Sequence, residues 1–368
     1  MLLRAAAELR DPASGSAGGC AGSLVVIGDR HGALTLGAIQ ALGAEGLRVY
    51  QDPLLQERAL AQNAHRLDLA SRYDAVSELD ESLVTGATLV LMQLPRSLAE
   101  LEEIVWLIAR YADPRVTVLA GGRDKHMTRG MNEVFARYFG EVTASRGWRK
   151  SRMLTATELL GAAPEQEPFP VWGRDPDVSF RIAAFGATFG GATLDHGSRL
   201  LLRTLQDDPP AVNPQRVIDL GCGNGVLTVS AALRFPDAEV LASDQSTAAV
   251  RATRLTAEAA GVANRVSVRR ADGTEGGPEG WADLILLNPP FHTGSTVHTG
   301  VAHRLIRAAA GALAPGGELR IVFNSTLGYR PLVEQVVGET RQLARDRTFT
   351  VLSAIRRSEP AGGAAILK

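Results

Sequence analysis

Strand-like and helix-like segments alternate along residues 216–356, and this alternation restricts the fold more than any other feature of the chain. Short aliphatic and β-branched runs predict strands at 216–219, 239–243, 266–269, 284–287 and 319–323. Longer amphipathic runs predict helices between them at 226–234, 248–260 and 301–313. This order predicts a mostly parallel sheet with helices on both faces, and 348–356 is predicted as an antiparallel edge strand.

The first half of the chain repeats the same order. Its runs predict strands at 23–27, 47–50, 88–94 and 116–119, and helices at 54–68, 98–111 and 128–138. When residues 32–35 are aligned with 225–228, residues 94–97 fall beside 288–291. We therefore predict an α/β protein of two tandem Rossmann-like domains that arose by duplication, with boundaries at 1–160 and 178–368. The proline-rich residues 161–177 are predicted as the linker.

The two halves differ where chemistry is expected. In the aligned register Arg30 stands for Gly223, and Leu94 stands for Asn288. A bulky side chain at the first position blocks the close approach of a ligand to the backbone. We predict that the N-terminal domain is degenerate, because it keeps the order of strands and helices but lacks the residues of the cofactor site.

A glycine-rich turn follows the first strand of the second half. Gly221, Gly223 and Gly225 come directly after Asp219. A pyrophosphate-binding fingerprint has the spacing G-x-G-x-x-G, whereas the spacing here is G-x-G-x-G. The acidic residue and this spacing suit a ligand without phosphates and with a cationic amino acid end. Ligands of open α/β sheets bind beyond the carboxyl ends of the strands, which is where this turn is predicted.

Two further acids end the next two strands. Asp244 is placed to accept both hydroxyls of a ribose, and Asp272 is placed to accept a hydrogen bond from an adenine amine. Three acids at three successive strand ends predict S-adenosyl-L-methionine as the cofactor, rather than NAD. The alternative is that these are loop glycines and N-capping acids of an unrelated α/β domain. The predicted cofactor-binding residues are Asp219, Gly221, Gly223, Gly225, Asp244, Gln245, Asp272, Gly273 and Asn288.

The tetrapeptide Asn288-Pro289-Pro290-Phe291 follows the buried strand at 284–287. The Asn288 side-chain oxygen and the Pro289 carbonyl can accept the two protons of an aryl amine, whose lone pair is otherwise delocalised. The prolines stiffen the turn, and Phe291 offers a face for stacking a base. We predict that these four residues form the catalytic site for methylation of an amino nitrogen. A plain strand-end turn is the alternative, since Asn-Pro often opens loops.

Composition limits the remaining possibilities. The 368 residues carry a net charge of −1, so any nucleic-acid surface is expected to be local. The two cysteines and seven histidines show no metal-ligand spacing, and we expect no metal. No stretch approaches the ~20 apolar residues of a membrane span, and the start lacks the apolar core of a signal peptide. We expect a cytoplasmic monomer that does not bind a membrane.

A local basic zone lies at the end of the first half. Residues 115–152 contain nine Lys or Arg and three acids. Such a zone can neutralise RNA phosphates, although a solvated face is the alternative. The predicted RNA-binding residues are Arg123, Lys125, Arg129, Arg149, Lys150 and Arg152.

These motifs resemble class I methyltransferases with an N-P-P-[FYW] motif, and most of the chain resembles the tandem-domain ribosomal RNA guanine-N2 methyltransferases. Residues 189–199 resemble the segment that this family closes over cofactor and base, although Phe189-Gly190-Gly191 departs from its usual polar and basic residues. The basic segments 123–129 and 148–152 look most like the members that act on large-subunit (23S) RNA. The resemblance implies methyl transfer from S-adenosyl-L-methionine to a guanine N2 amine in ribosomal RNA.

Two other functions stay open at this point. The tetrapeptide is shared with enzymes that methylate adenine or a protein glutamine. A chain that has lost catalysis and acts as an RNA-binding or ribosome-assembly factor is the alternative from another class.

Overall fold

The computed structural model describes residues 1–10, 23–290 and 299–357, and it divides the chain into two compact units. Unit 1 comprises Met1–Val171 and Phe185–Ala187, and unit 2 comprises Trp172–Ala184 and Thr188–Lys368. Unit 1 therefore continues past the predicted start of the linker at residue 161. The Trp106 indole, which donates to the Pro164 carbonyl at 3.1 Å, attaches this continuation to unit 1.

Unit 1 contains a seven-stranded sheet with helices. Its strands are β1 (Ser23–Ile27), β2 (Leu47–Tyr50), β3 (Tyr73–Val76), β4 (Ala87–Gln93), β5 (Thr117–Arg123), β6 (Phe139–Ala144) and β7 (Ser151–Leu159). Its helices are α1 (Leu2–Arg10), α2 (Ala33–Leu42), α3 (Leu54–Arg66), α4 (Glu81–Val84), α5 (Leu98–Tyr111) and α6 (Arg129–Ala136). The strand order is β3-β2-β1-β4-β5-β7-β6, in which β1 to β5 pair in parallel and β7 pairs antiparallel with both neighbours.

Unit 2 contains a second seven-stranded sheet. Its strands are β10 (Arg216–Leu220), β11 (Glu239–Asp244), β12 (Val266–Arg270), β13 (Ala282–Leu287), β14 (Leu313–Asn324), β15 (Thr340–Arg345) and β16 (Phe349–Ile355), preceded by a small pair of β8 (Val171–Gly173) and β9 (Ile182–Ala184). Its helices are α7 (His196–Asp207), α8 (Val226–Arg234), α9 (Thr247–Ala259), α10 (Thr299–Ala312) and α11 (Arg330–Val336). The strand order is β12-β11-β10-β13-β14-β16-β15.

The two units share one strand order, which confirms the prediction of two tandem, mostly parallel α/β domains. Gly32 and Gly225 occupy the same position in the two units. Gly32 precedes α2 with a left-handed φ of +94°, and Gly225 precedes α8 with a left-handed φ of +81°. The predicted edge strand at 348–356 is wrong in its position. Its counterpart β16 lies between β14 and β15, and the polar strand β15 forms the edge.

Burial explains why the central strands could be identified. All four residues 284–287 of β13 are buried, as expected for a parallel strand covered on both faces. One buried cluster includes Leu284 and Leu286, and another includes Ile285 and Leu287, so both faces of the sheet are packed. Within the described ranges, no helix is long and apolar enough to cross a membrane.

Candidate active site

The glycine turn lies open at the carboxyl end of β10. The backbone amides of Gly221 and Cys222 donate to the Ser243 carbonyl at 2.8 and 3.0 Å, which fixes the turn beside the end of β11. Gly221 and Gly223 have φ of +86° and +56°, which favour glycine. Apart from the glycine and its two chain neighbours, no atom of the described residues lies within 4 Å of the point where a Cβ would stand at either position. The turn therefore presents bare backbone to an open space.

Two other residues of the turn, Cys222 and Gly225, pack against the protein interior. A Cβ at Gly225 would lie 2.9 Å from the Cα of Thr253, so this glycine allows α8 to begin against α9. Burial raises the pKa of the Cys222 thiol well above its ordinary value, with smaller contributions from the charges of Asp244 and Asp219. Cys222 therefore carries no reactive thiolate, in keeping with a packing role in the turn.

Asp244 is held directly beside the glycine turn. One carboxylate oxygen accepts the Gly223 amide at 3.1 Å, and the other accepts the Ser246 amide at 2.9 Å. These two amides hold the carboxylate from both of its oxygens. The carboxylate is thus oriented before any ligand arrives.

The third strand end carries Asp272 and Gly273, which have contacts of their own. Asp272 forms an ion pair with Arg304 of α10 at 3.1 Å, so its carboxylate already has a cationic partner. The Gly273 carbonyl accepts the Ser243 hydroxyl at 2.8 Å, and the Gln245 carbonyl accepts Arg270 Nε at 3.3 Å. Any ligand that bonds to Asp272 shares this carboxylate with Arg304.

Asp219 lies beneath the turn and not on its surface. Its side chain is fully buried, and Oδ2 accepts the Thr228 hydroxyl at 2.5 Å. Oδ1 has no hydrogen-bond partner within the described part of the chain. Burial raises the pKa of Asp219 to about 7, against the lowering effect of the Thr228 hydrogen bonds, and the charge of Asp244 raises it further. The carboxyl therefore supports the turn from below.

The raised pKa predicts a pH-dependent stability of unit 2. An acid whose folded-state pKa exceeds the unfolded value stabilises the fold fully below the unfolded pKa, 3.8 here, and this contribution is lost as pH rises through about 7. The Asp219→Asn side chain cannot ionise, so the variant should not lose this stability as pH rises. The free energy of unfolding of the variant minus that of wild type should therefore increase by about 2–4 kcal/mol from about pH 5 to about pH 8. Urea unfolding of both proteins measures this difference, and a pH-independent difference would show that Asp219 ionises freely in the fold.

Asn288 follows β13, the strand beside β10. The register pairs Leu220 with Leu287, which brings Asn288 next to the glycine turn. Its Nδ2 donates to Asp195 Oδ1 at 3.1 Å and to the Ser198 hydroxyl at 3.0 Å. A carboxylate can only accept, so the atom that faces Asp195 must be the amide nitrogen. The Asn288 oxygen is thereby turned away from this contact and is available to another donor.

The residues that hold Asn288 were not predicted individually. Asp195 is the N-cap of α7, because the same Oδ1 accepts the Ser198 amide at 3.1 Å. A Cβ at Gly197 would lie 3.4 Å from Asn288 Oδ1, so the absence of a side chain there gives the amide room. The one available signal was the sequence of residues 195–198, Asp-His-Gly-Ser, which is typical of a helix start.

Asn224 joins the glycine turn to the segment that precedes α7. Its Nδ2 donates to the carbonyls of Gly191 and Thr193 at 2.9 and 2.8 Å. The segment at 189–195, singled out in the sequence, therefore lies beside the turn. No role of Asn224 was predicted, because its partners are more than thirty positions away along the chain.

The other predicted residues are placed as follows. Pro289 is buried and Pro290 is exposed, whereas Phe291 lies outside the described residues. All six predicted RNA-binding side chains are exposed in unit 1, and one of them, Arg152, pairs with Asp124 at 3.2 Å. In the residues that the structure describes, no group of three or more His, Cys, Asp or Glu is arranged to hold a metal ion.

A parallel sheet with an open glycine turn, an acid at the next strand end and an amide after the adjoining strand defines a class I methyltransferase fold and site. Residues 179–353 match the family model described as methyltransferase small domain, and residues 3–159 match the one described as RLMG N-terminal domain. The chain belongs to the ribosomal RNA large subunit methyltransferase G family.

Similar proteins cover almost the whole chain. The ribosomal RNA large subunit methyltransferase G of Streptomyces coelicolor is 32% identical over 91% of this chain and 88% of its own length. The protein of the same name from Stutzerimonas stutzeri is 33% identical over 90% and 87%. The 16S rRNA guanine N2 methyltransferase RsmC of T. thermophilus, solved with AdoMet and guanosine, is 25% identical with a TM-score of 0.76, over 91% of this chain and 88% of that one.

Proposed function

We propose that this protein transfers the methyl group of S-adenosyl-L-methionine to the N2 amine of a guanine in large-subunit ribosomal RNA. The observation that carries the proposal is the orientation of Asn288. Asp195 and Ser198 fix its nitrogen, so its oxygen is available as an acceptor beside the open glycine turn. The names of the relatives assign the same class of reaction to proteins that match over most of their length.

The acceptor half of the site acts by orienting the amine. The exocyclic nitrogen of guanine is a weak nucleophile because its lone pair is delocalised into the ring. Asn288 Oδ1 and the Pro289 carbonyl accept its two protons, which directs the lone pair and stabilises the charge that develops on nitrogen. Pro290 stiffens the turn, and Phe291 is assigned to stacking the base. The proton leaves after methyl transfer, when the alkylated nitrogen has become more acidic.

The residues of the turn fit the cofactor. S-adenosyl-L-methionine supplies, when bound, a methyl group on a positively charged sulfur. The open backbone at Gly221 and Gly223 is assigned to the methionine end, and the preset carboxylate of Asp244 is assigned to the ribose hydroxyls. Asp219, buried beneath the same turn, is assigned to supporting the turn that receives the cofactor. Gly225, Gln245, Asp272 and Gly273 complete the proposed cofactor site.

The RNA partner is assigned to unit 1 as well as unit 2. The exposed cations Arg123, Lys125, Arg129, Arg149 and Lys150, with the paired Arg152, are the proposed phosphate contacts. A guanine within a duplex hides its N2 amine, so the target nucleotide is expected to be unpaired or flipped out. We further propose a monomeric protein of the bacterial cytoplasm that works without a metal.

The direct biological test is the modified-nucleoside content of 23S RNA. A strain without the gene should lose one N2-methylguanosine, and the wild-type gene should restore it while Asn288→Ala should not. An unchanged N2-methylguanosine content in the deleted strain would contradict the proposal.

The ribose assignment has its own test. Asp244→Asn removes the charge and can accept only one of the two amides, so we expect the affinity for S-adenosyl-L-methionine to fall about 10- to 100-fold in calorimetry. Asp237→Asn is the matched control, because Asp237 is exposed and precedes β11 at the opposite end of that strand. Equal affinities of the two variants would exclude Asp244 from the ribose contact.

A further inference from the structure

In unit 1, cations follow the three strands at the centre of the sheet. β1, β4 and β5 are neighbours and run parallel, so their carboxyl ends meet at one edge. At or just beyond these ends are four exposed cations, which we name the edge cluster: Arg30, Arg96, Arg123 and Lys125. In unit 2 the corresponding edge carries the glycine turn and Asn288.

The edge cluster converges on one side chain, His126. An Arg96 guanidinium nitrogen lies 3.4 Å from His126 Nε2. Desolvation lowers the pKa of His126, and the charges of Arg96, Lys125, Arg123 and Arg30 lower it further, in that order. The contact between Arg96 and His126 joins the segment that follows β4 to the segment that follows β5, its neighbour in the sheet. A neutral imidazole adds no repulsion of its own and can accept from Arg96.

Two side chains at this edge differ in role from their counterparts in unit 2. Leu94, which stands where unit 2 has Asn288, is buried and would be 3.4 Å from a Cβ at Gly122. The buried carboxylate of Asp29 accepts the Thr35 amide at 2.7 Å and so occupies the start of α2. The four cations of the edge cluster are exposed, so their charge faces solvent.

The hairpin between β6 and β7 extends this surface. Trp148 and Ser151 exchange both backbone hydrogen bonds at 2.9 and 3.0 Å, and the two residues between them have positive φ: Arg149 +49° and Lys150 +61°. A two-residue turn of this type favours Asn-Gly, so the chain holds two cations in a backbone conformation that they disfavour. The Trp148 ring is 55% exposed, and the Arg149 guanidinium lies 4.6 Å from its centroid.

Two contacts join the hairpin to the edge cluster. The Asp124 amide donates to the Lys150 carbonyl at 3.0 Å, and Arg152 Nε lies 3.2 Å from the Asp124 carboxylate. Asp124 lies between Arg123 and Lys125 in the sequence. The cations and the exposed indole therefore belong to one continuous surface of unit 1.

We propose that the edge cluster, with Trp148, binds a single-stranded segment of RNA, in which Arg30 and Arg96 contact phosphates and Trp148 stacks on a base. This inference rests on the proposed function and adds Arg30, Arg96 and Trp148 to it. Several exposed cations on one surface can contact successive phosphates, and an exposed aromatic ring adds sequence-tolerant stacking. Stacking requires a base that is free of its own helix, which favours a single strand over a duplex.

The test uses the full chain and a fluorescein-labelled oligoadenylate of about 15 nucleotides, a length that one single-strand site can cover. Arg30→Glu/Arg96→Glu should lower the affinity at least about ten-fold at about 0.1 M salt, and it should reduce the salt slope by about 1.4, or about 0.7 for each lost phosphate contact. Trp148→Ala should lower the affinity about ten-fold with an unchanged salt slope, because stacking releases no counterions. A duplex of the same length should bind more weakly to wild type.

Arg66→Glu/Arg234→Glu is the matched control, since both arginines are exposed and the net charge changes equally. We expect this control to bind the oligoadenylate like wild type. Equal affinity and slope in the two charge-reversed proteins, or no salt-dependent binding by wild type, would overturn the inference. Calorimetry with S-adenosyl-L-methionine on the same samples tests the proposed function separately from the RNA surface. If every variant binds the cofactor, a failed RNA result overturns this surface alone. If wild type does not bind the cofactor, the proposed function is overturned.

Discussion

Asn288→Ala should lower kcat for RNA methylation by about 10²- to 10³-fold and leave the affinity for S-adenosyl-L-methionine nearly unchanged. The loss has this size because the Asn288 oxygen is assigned to an interaction that strengthens as charge develops on the amine, and removal of one such preset group typically costs about that much. Single-turnover kinetics with RNA and calorimetry with the cofactor measure the two quantities separately. Equal losses in both would show that Asn288 holds the cofactor.

Two matched variants separate the role of Asn288 from a general disturbance. Asn264→Ala changes an exposed asparagine that precedes β12 at the opposite end of the strand, and it should leave kcat unchanged. Asp195→Ala should lower kcat because it frees the Asn288 amide, whereas Asp195→Asn keeps an N-cap and an acceptor and should restore most of the activity. A full loss with Asp195→Asn would contradict the positioning role of Asp195.

Arg320→Met should destabilise unit 2 by about 3–5 kcal/mol, because it leaves the Glu318 carboxylate buried without its partner. Arg320 is 1% exposed; its Nε lies 2.7 Å from Glu318, and its guanidinium donates to the carbonyls of Thr204 and Asp208 at 2.7 and 2.6 Å. These carbonyls belong to the end of α7, the helix whose start holds Asn288. Urea unfolding measures the loss of stability.

The control for this prediction is Arg341→Met, which breaks an exposed ion pair with Asp208 and should cost about 0–1 kcal/mol. Arg320→Met/Glu318→Leu removes both buried charges and should recover much of the stability that the single variant loses. A single variant as stable as the Arg341 control would show that the buried pair contributes little to unit 2.

The sequence predicted the central sheet well for a physical reason. Strands such as β13 are buried on both faces, so each of them appears in the sequence as a continuous apolar run. The edge strand β15 is polar and half-exposed, so it has no continuous apolar run that would identify it as a strand. For this reason β16 was wrongly predicted as the edge strand. The alignment of Gly32 with Gly225 worked because a left-handed helix start favours glycine in both units.

The sequence predicted which types of residue lie at the site, but it did not predict most of their contacts. The spacing of the glycine turn could not separate Gly223, which faces open space, from Gly225, which packs against α9. The hydrogen bond between Asn288 and Asp195 joins residues far apart in the chain, and no local pattern reports such a pair. The pairing of Asp272 with Arg304 was missed for the same reason.

Methylation of guanine N2 by unit 2 can be detected by mass spectrometry of nucleosides. Protein-free 23S RNA from a strain without the gene is incubated with the protein and with S-adenosyl-L-methionine that carries a trideuterated methyl group. We expect labelled N2-methylguanosine with the wild-type protein and almost none with Asn288→Ala. Label in a methylated adenosine, or an N2-methylguanosine signal that Asn288→Ala leaves unchanged, would contradict it.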